Sequence, residues 1–203
     1  MKTAVPRTRP YRDGGAPWAA PREAAPRAGT GGWTNDTAPA AEPDPFRAAM
    51  RHHAKGVAVI TAGTEHPIGF CATSLASVSL EPPLVSFTVG LRSSSWATIE
   101  TARHVMVHLL ADGQADLASR FARRDAEKFG ADTRWHQNEL GLPVLADVLA
   151  WLQLELTNRF RVGDHALVIG QVIASRHGAP GTGRPLIHLG GEFVTLAASR
   201  ADR

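Results

Sequence analysis

The chain has 203 residues, of which 43% are hydrophobic and 20% are charged, so it is long enough for one well-packed domain and too short for two large ones. Its formal net charge of +3 is small, and its basic residues form no concentrated patch, which argues against nucleic-acid binding. Cys71 is the only cysteine, and no apolar run suits a membrane span or a secretory signal. We therefore expect a cytoplasmic protein without disulfides or a membrane partner.

Residues 1–44 differ in composition from the rest of the chain. Proline, alanine, glycine and arginine dominate this stretch, without helical or strand periodicity. Such a composition buries too little apolar surface to offset the entropy of ordering. We predict a disordered tail over 1–44 and a folded domain over 45–198. Trp18 and Trp33 are either incidental aromatics of the tail or residues that dock on the domain or on a partner.

Apolar spacing and turn residues predict the elements beyond the tail. Helices are expected at 44–55, 96–101 and 114–123, the first ended by Gly56 and the second capped by a serine. Strands are expected at 57–61, 69–83, 84–89, 104–110, 151–161, 165–175, 185–188 and 192–196. Residues 125–148 show little regular pattern and are interpreted as a connecting excursion.

The order of these elements indicates the fold class. Strands follow one another in antiparallel-looking pairs, and the helices are few and short. A doubly wound parallel sheet would instead need a helix after each strand. The sequence therefore predicts a mainly β protein, an antiparallel β-barrel with peripheral helices.

The segment from Gly69 to Pro83 is rich in hydroxyl groups. Thr73, Ser74 and Ser77 are among the hydroxyls of an otherwise apolar strand, and a buried hydroxyl costs free energy unless it finds a partner. A ligand rich in acceptors, such as a flavin ring or a phosphate, would supply such partners. Ser94 and Ser95 precede a short helix and suit an anion site there, although the same serines could equally cap a surface helix.

Several blocks of the chain resemble the flavin reductase-like family. The blocks are Phe46–Met50, Gly56–Thr61, Cys71–Val85, Ser93–Ile99, Arg120–Ala122 and Gly163–His165. The likeness runs from about residue 45 to 197 and rests on several ordered blocks, which makes it more specific than one short motif. Members of this family are NAD(P)H:flavin oxidoreductases that supply reduced flavin to two-component monooxygenases.

The resemblance implies an FMN-binding split barrel, a homodimer and direct hydride transfer from NADH or NADPH to FMN or FAD. It implies cofactor contacts for Cys71, Ala72, Thr73, Ser74, Ser77, Val78, Val89, Gly90, Leu91, Ser94, Ser95, Trp96, Phe121, Ala122, His188, Gly190 and Gly191. It places His165 beside the nicotinamide. Because hydride passes directly between the cofactors, we assign His165 as the catalytic-site residue that binds and orients, and that could also donate a proton.

The chain departs from the family pattern near its C-terminal strands. Phe193 follows two glycines where relatives often have tyrosine, so no hydroxyl is available there. Nothing near Cys71 in sequence activates it as a nucleophile, and the adjacent His52 and His53 suit a shared metal poorly.

One rival to the flavin reductase function is a split-barrel enzyme with tightly bound FMN and its own substrate. Another is a non-catalytic module that binds flavin or haem.

Overall fold

The computed structural model describes residues 42–178 and 183–196, and the predicted tail lies almost wholly outside them. The helices of this part are α1 (Pro43–Arg51), α2 (Trp96–Thr101) and α3 (Ala115–Ala122). The strands are β1 (Lys55–Gly56), β2 (Ala58–Ala62), β3 (Ile68–Ala72), β4 (Ala76–Leu80), β5 (Pro83–Gly90), β6 (His104–Leu109), β7 (Trp135–Gln137), β8 (Pro143–Leu145), β9 (Ala150–Val162), β10 (His165–His177), β11 (Ile187–Leu189) and β12 (Glu192–Val194).

Seven strands form the main sheet, in the order β3-β2-β6-β9-β10-β5-β4. Every neighbouring pair in it is antiparallel. β1, β11 and β12 form a small second sheet, and β7 pairs with β8. The prediction of a mainly β fold with antiparallel strands and peripheral helices is therefore confirmed. No helix in the two described ranges has the length and apolar character that crossing a membrane requires.

The main sheet is strongly curved. β3 and β4 are its two edges, yet only residues 73–75 connect them. In a flat sheet these edges would lie roughly 28 Å apart, whereas the four Cα steps from Ala72 to Ala76 span at most about 15 Å. The backbone N–H of Thr88 on β5 donates a hydrogen bond of 2.9 Å to Ser74 Oγ, which holds the loop between the two edge strands against β5. The edge strands do not pair with each other within the described residues.

The prediction of one return strand over 69–83 is wrong. The segment breaks after Ala72, and its halves pair with different neighbours, β3 with β2 and β4 with β5. The unbroken alternation of small and apolar residues gave no sign of the break, because the two halves have the same composition. Its consequence is that part of the hydroxyl-rich stretch becomes a loop between the sheet edges.

The first helix is shorter than predicted. α1 ends at Arg51, where the N–H groups of His52 and His53 bond to carbonyls one turn back. Gly56 does not end it; it lies in β1, opposite Ile187. The pairing of β1 with β11 outweighs the helical pattern there. All residues of α1 are exposed, including Phe46 at 60%.

The excursion at 125–148 contains a short hairpin, β7–β8, that the sequence did not reveal. Its turn is built by Asn138, whose Oδ1 accepts the N–H groups of Leu140 (3.0 Å) and Leu142 (2.9 Å). Thr61 Oγ1 on β2 donates to the carbonyl of Pro143, which fixes β8 to the main sheet. Three-residue strands are too short to produce a readable alternation.

The core lies on both faces of β2, all five residues of which are buried. Ile60 and Phe87 belong to the apolar cluster enclosed by the curved sheet. Val59 and Phe121 belong to a second cluster under α3. The second cluster fixes α3 against β3, and this contact forms one wall of the candidate site.

Candidate functional site

A cleft of about 320 Å³ lies where the ends of β3, β5 and α3 meet the start of β10. It is lined by Phe70, Cys71, Ala72, Thr73, Ser74, Thr88, Val89, Gly90, Ser93, Phe121, Ala122 and His165. These residues come from four separate stretches of the chain. The curvature of the sheet brings them together, since it places the loop after β3 against β5.

The cleft contains about half of the residues that the sequence predicted for cofactor contact. Eight of those residues line it together with His165, namely Cys71, Ala72, Thr73, Ser74, Val89, Gly90, Phe121 and Ala122. Phe70, Thr88 and Ser93 line it too and were not predicted. Thr88 follows Phe87, which is fully buried, so alternation along β5 could have shown that Thr88 faces the other way.

The other predicted residues lie elsewhere. Ser77 and Val78 are exposed on β4, at the far edge of the sheet. Leu91, Ser94, Ser95 and Trp96 belong to the loop and helix after the cleft residue Gly90, and none of them lines the cleft. His188, Gly190 and Gly191 line a second cavity, of about 290 Å³, together with α1.

Two hydroxyls of the cleft accept backbone hydrogen bonds. Ser74 Oγ accepts the N–H of Thr88, and Ser93 Oγ accepts the N–H of Ser95 at 3.2 Å. A hydroxyl has one proton to donate and can accept two hydrogen bonds. Both serines therefore keep a proton that can be donated to an acceptor in the cleft.

His165 stands at the rim, with its side chain 50% exposed. Its Nδ1 lies 2.7 Å from Oδ1 of Asp164. This hydrogen bond, with the nearby charge of the imidazole, lowers the pKa of Asp164, so the carboxylate stays ionised and can only accept. Nδ1 must therefore carry the proton. The other nitrogen, Nε2, lies on the Gly90 side, 3.7 Å from where a Cβ of that glycine would stand.

The turn that carries His165 is tied to the end of β5. Gly163 has φ +60°, a conformation that favours glycine, and allows the tight turn from β9 into β10. The carbonyl of Asp164 accepts the N–H of Leu91 at 2.9 Å. His165 is also the direct cross-strand partner of Gly90. The histidine is therefore held over the cleft by backbone pairing as well as by its carboxylate.

Phe121 forms an apolar part of the cleft wall, and its position depends on Gly69. A Cβ on Gly69 would lie only 2.5 Å from Cε1 of Phe121, so a glycine is needed for the ring to rest on β3. The ring continues into an edge-to-face chain with Phe129 and Trp135, at centroid separations of 5.5 and 5.1 Å. The indole N–H of Trp135 donates to the carbonyl of Phe129. This aromatic chain connects the cleft wall to the excursion.

Cys71 is a neutral part of the cleft wall. Burial raises the pKa of its thiol from 9.0 to about 11. The reactive form of cysteine is the thiolate, which is scarce at neutral pH for such a group. This agrees with the expectation that Cys71 is not a nucleophile.

Helix α2 begins at Ser95 as the N-cap, but the serine hydroxyl makes no capping bond. Ser95 and Trp96 are 2% and 9% exposed, and Trp96 packs in the core. The end of α2 is held by Arg159 of β9, whose guanidinium donates to the carbonyls of Ile99 (2.9 Å) and Ala102. This arginine fixes the C-terminal end of α2 to β9, and no sequence pattern indicated it.

Known proteins resemble this chain over most of its length. Residues 50–197 match the family described as the flavin reductase like domain. The chain is 45% identical over 129 residues to an NADH:FMN oxidoreductase of Rhodococcus qingshengii, covering 63% of this chain and 67% of that protein. It is 34% identical over 158 residues to the reductase subunit HsaB of a flavin-dependent monooxygenase from Mycobacterium tuberculosis, covering 76% and 83%.

A solved structure shows the same likeness. The NADH:FAD oxidoreductase SgcE6 of Streptomyces globisporus C-1027, in complex with NAD and FAD fragments, superimposes with a TM-score of 0.73 at 29% identity. The match covers 80% of this chain and 99% of that one. The chain therefore belongs to the flavin reductase like domain family, and the family prediction made from its sequence is confirmed.

Proposed function

We propose that this protein is a flavin reductase that uses NADH to reduce FMN or FAD and supplies the reduced flavin to a partner monooxygenase. The relatives named above support both parts, one as an NADH:FMN oxidoreductase and one as a monooxygenase reductase subunit. The observation that carries the proposal is the convergence of eight predicted flavin contacts and His165 in one cleft.

The cleft fits a flavin ring. Its volume of about 320 Å³ is that of a small-ligand site. One wall is apolar, formed by Phe121 and the neutral Cys71, and suits a planar aromatic system. The hydroxyl groups of Ser74 and Ser93 offer their protons to a ligand rich in acceptors. Gly90 adds no side chain, so the backbone of β5 is open to close approach.

In this proposal each residue binds or orients. A bound flavin supplies the site that accepts hydride from the nicotinamide. Ser74 and Ser93 donate hydrogen bonds to the flavin, and Phe121 excludes water from its face. His165, held by Asp164, directs Nε2 toward the cleft and orients the nicotinamide. No residue needs to abstract a proton from a substrate.

Further parts of the proposal concern architecture. We propose that the curved sheet is the family's split barrel, within a domain that runs from α1 to residue 198, that the residues before α1 are a separate tail, and that the protein is a cytoplasmic homodimer. The short link between the edge strands supports the barrel, and exposed apolar residues on β4, such as Leu80 at 85%, offer a surface for a second copy. The single cysteine supports a reducing compartment.

Flavin titration of the purified protein tests the site. Fluorescence should show saturable FMN and FAD binding, and Ser74→Ala or Ser93→Ala should weaken it about three- to tenfold, as expected for one lost hydrogen bond. Ser175→Ala, in the exposed far half of β10, is the matched control and should bind as the natural protein does. Unchanged affinity in both cleft variants would contradict the assigned site.

A further inference from the structure

A second cavity lies between α1 and the β11–β12 hairpin, apart from the cleft at His165, which we call the flavin cleft. We call the second cavity the α1 cleft; it is lined by Phe46, Arg47, Met50, Arg51, His53, Lys55, His188, Gly190 and Gly191. Two of these side chains are apolar and exposed, and five are cationic or can become so. Among the described residues, no acidic one lines the cavity, although Asp44 pairs with Arg47 beside it at 3.1 Å.

The backbone brings the cationic groups together. Lys55 and His188 are direct partners across the β1–β11 pair, so their side chains lie side by side. The carbonyl of Arg51 accepts the N–H of Gly190 at 3.0 Å, which ties the end of α1 to the hairpin. Gly190 and Gly191 have φ of +67° and +100° and no side chain, so the hairpin leaves room for a ligand beside Arg51.

The α1 cleft lies close to the flavin cleft in space. Lys55 is three residues from Ala58, and Ala58 pairs with Ala72, which lines the flavin cleft. Three Cα steps and one cross-strand spacing add up to at most about 17 Å. A dinucleotide with one half in the flavin cleft can span such a separation in an extended form.

We propose that the α1 cleft binds the adenosine diphosphate unit that NADH and FAD share and that FMN lacks. Arg47, Arg51 and Lys55 bind its pyrophosphate, since guanidinium and ammonium groups are the usual partners of phosphate oxygens. Phe46 offers an exposed ring on which adenine stacks. This inference rests on the proposed function only for the identity of the dinucleotide.

Charge favours this occupant over a segment of the chain itself. Residues 1–41 contain six basic and three acidic residues, so that segment has the same sign of charge as the cleft. An anionic ligand is attracted, whereas the tail is repelled. The exposed Phe46 and Met50 would be covered by the adenosine in the bound state.

Calorimetric titration with ADP tests the site without any turnover. The natural full-length protein should bind ADP, more weakly as salt is raised. The Arg47→Gln/Arg51→Gln double variant should bind it at least about tenfold more weakly, as the loss of charge-assisted hydrogen bonds implies, and Phe46→Ala several-fold more weakly. The control Arg124→Gln/Arg176→Gln removes two exposed charges elsewhere and should change the affinity less than about twofold.

The outcomes separate this inference from the flavin reductase proposal. ADP that competes with NADH identifies the nicotinamide nucleotide as the occupant, and ADP that competes with FAD but not FMN identifies the flavin. Flavin reduction without ADP binding would overturn the inference alone, and ADP binding without flavin reduction would overturn the proposed function alone.

An ADP affinity that is unchanged in the α1 variants would also overturn the inference. A change in the sedimentation coefficient of the Phe46→Ala variant would overturn it as well, because it would mark Phe46 as a contact between copies. Displacement of bound ADP by a peptide of residues 1–41 would also overturn it.

Discussion

Replacing Gly69 by alanine should disturb the protein through a single contact. The new Cβ would lie 2.5 Å from Cε1 and 2.8 Å from Cδ1 of Phe121, and 3.3 Å from the carbonyl oxygen of Ile60. The ring would have to move by about 1 Å to reach ordinary contact distances. Phe129 packs edge-to-face against that ring and opposes the movement.

Overpacking of this kind costs about 1–3 kcal/mol of unfolding free energy. For a domain of this size, that cost lowers Tm by about 3–10 °C. Because Phe121 is also a wall of the cleft, flavin affinity should fall together with Tm. Calorimetric unfolding and flavin titration measure the two effects on the same sample.

Gly113→Ala is the matched control, since a Cβ at Gly113 would have no atom of residues 42–178 or 183–196 within 4 Å. It should change the unfolding free energy by less than about 0.5 kcal/mol and leave flavin affinity as it is. A Gly69→Ala protein with the Tm and flavin affinity of the natural chain would refute the argument that this glycine positions Phe121.

Three further predictions concern titratable groups. Asp164→Asn removes the carboxylate that fixes His165 and should lower kcat/KM for NADH about two- to fivefold, as for an exposed pair, with flavin affinity unchanged; an unaltered kcat/KM would rule out this role. Burial lowers the pKa of His108 to about 4, against a bond to Val59 that raises it. Because the pKa of this histidine in the unfolded chain is 6.5, between pH 6.5 and 4 the unfolded chain binds a proton that the folded chain does not. The free energy of unfolding should therefore fall by about 3 kcal/mol as pH drops from 6.5 to 4. Urea unfolding of the natural protein and of His108→Gln checks this, and an equal pH dependence in both would contradict it. Cys71, with its raised pKa, should alkylate at pH 8 about a hundredfold more slowly in the folded protein than in urea, and equal rates would show that its thiol is not shielded.

His108 illustrates what a sequence does not reveal. It lies near the end of β6, between Val107 and Leu109, and is fully buried. Its Nδ1 bonds to the carbonyl of Val59 at 3.1 Å, and its Nε2 accepts the N–H of Leu145 at 3.0 Å. The neutral ring thus joins β2 and β8 to β6. Only the three-dimensional arrangement supplies these partners, so no local pattern could have indicated them.

The parts of the fold that were predicted depend on local signals. The hairpin of β9 and β10 follows from two apolar runs around Gly163, and α3 follows from the spacing of Ala118 and Phe121. The break after Ala72 and the end of α1 depend on pairing with distant strands, which overrides local preference. Nine of the twelve cleft residues were predicted, but nine of the predicted cofactor contacts lie elsewhere for the same reason. The family motifs indicate which residues gather, whereas the curvature of the sheet decides which of them line one cleft.

The central claim is tested most directly by following NADH oxidation by the purified full-length protein, with and without added free FMN or FAD. The account predicts little oxidation without flavin and a rate that saturates as flavin is added, with reduced flavin released into solution. No NADH oxidation despite measurable flavin binding would contradict it and would indicate a binding module. Flavin that stays bound one per chain, with turnover independent of added flavin, would contradict it too and would indicate a flavoenzyme with its own substrate.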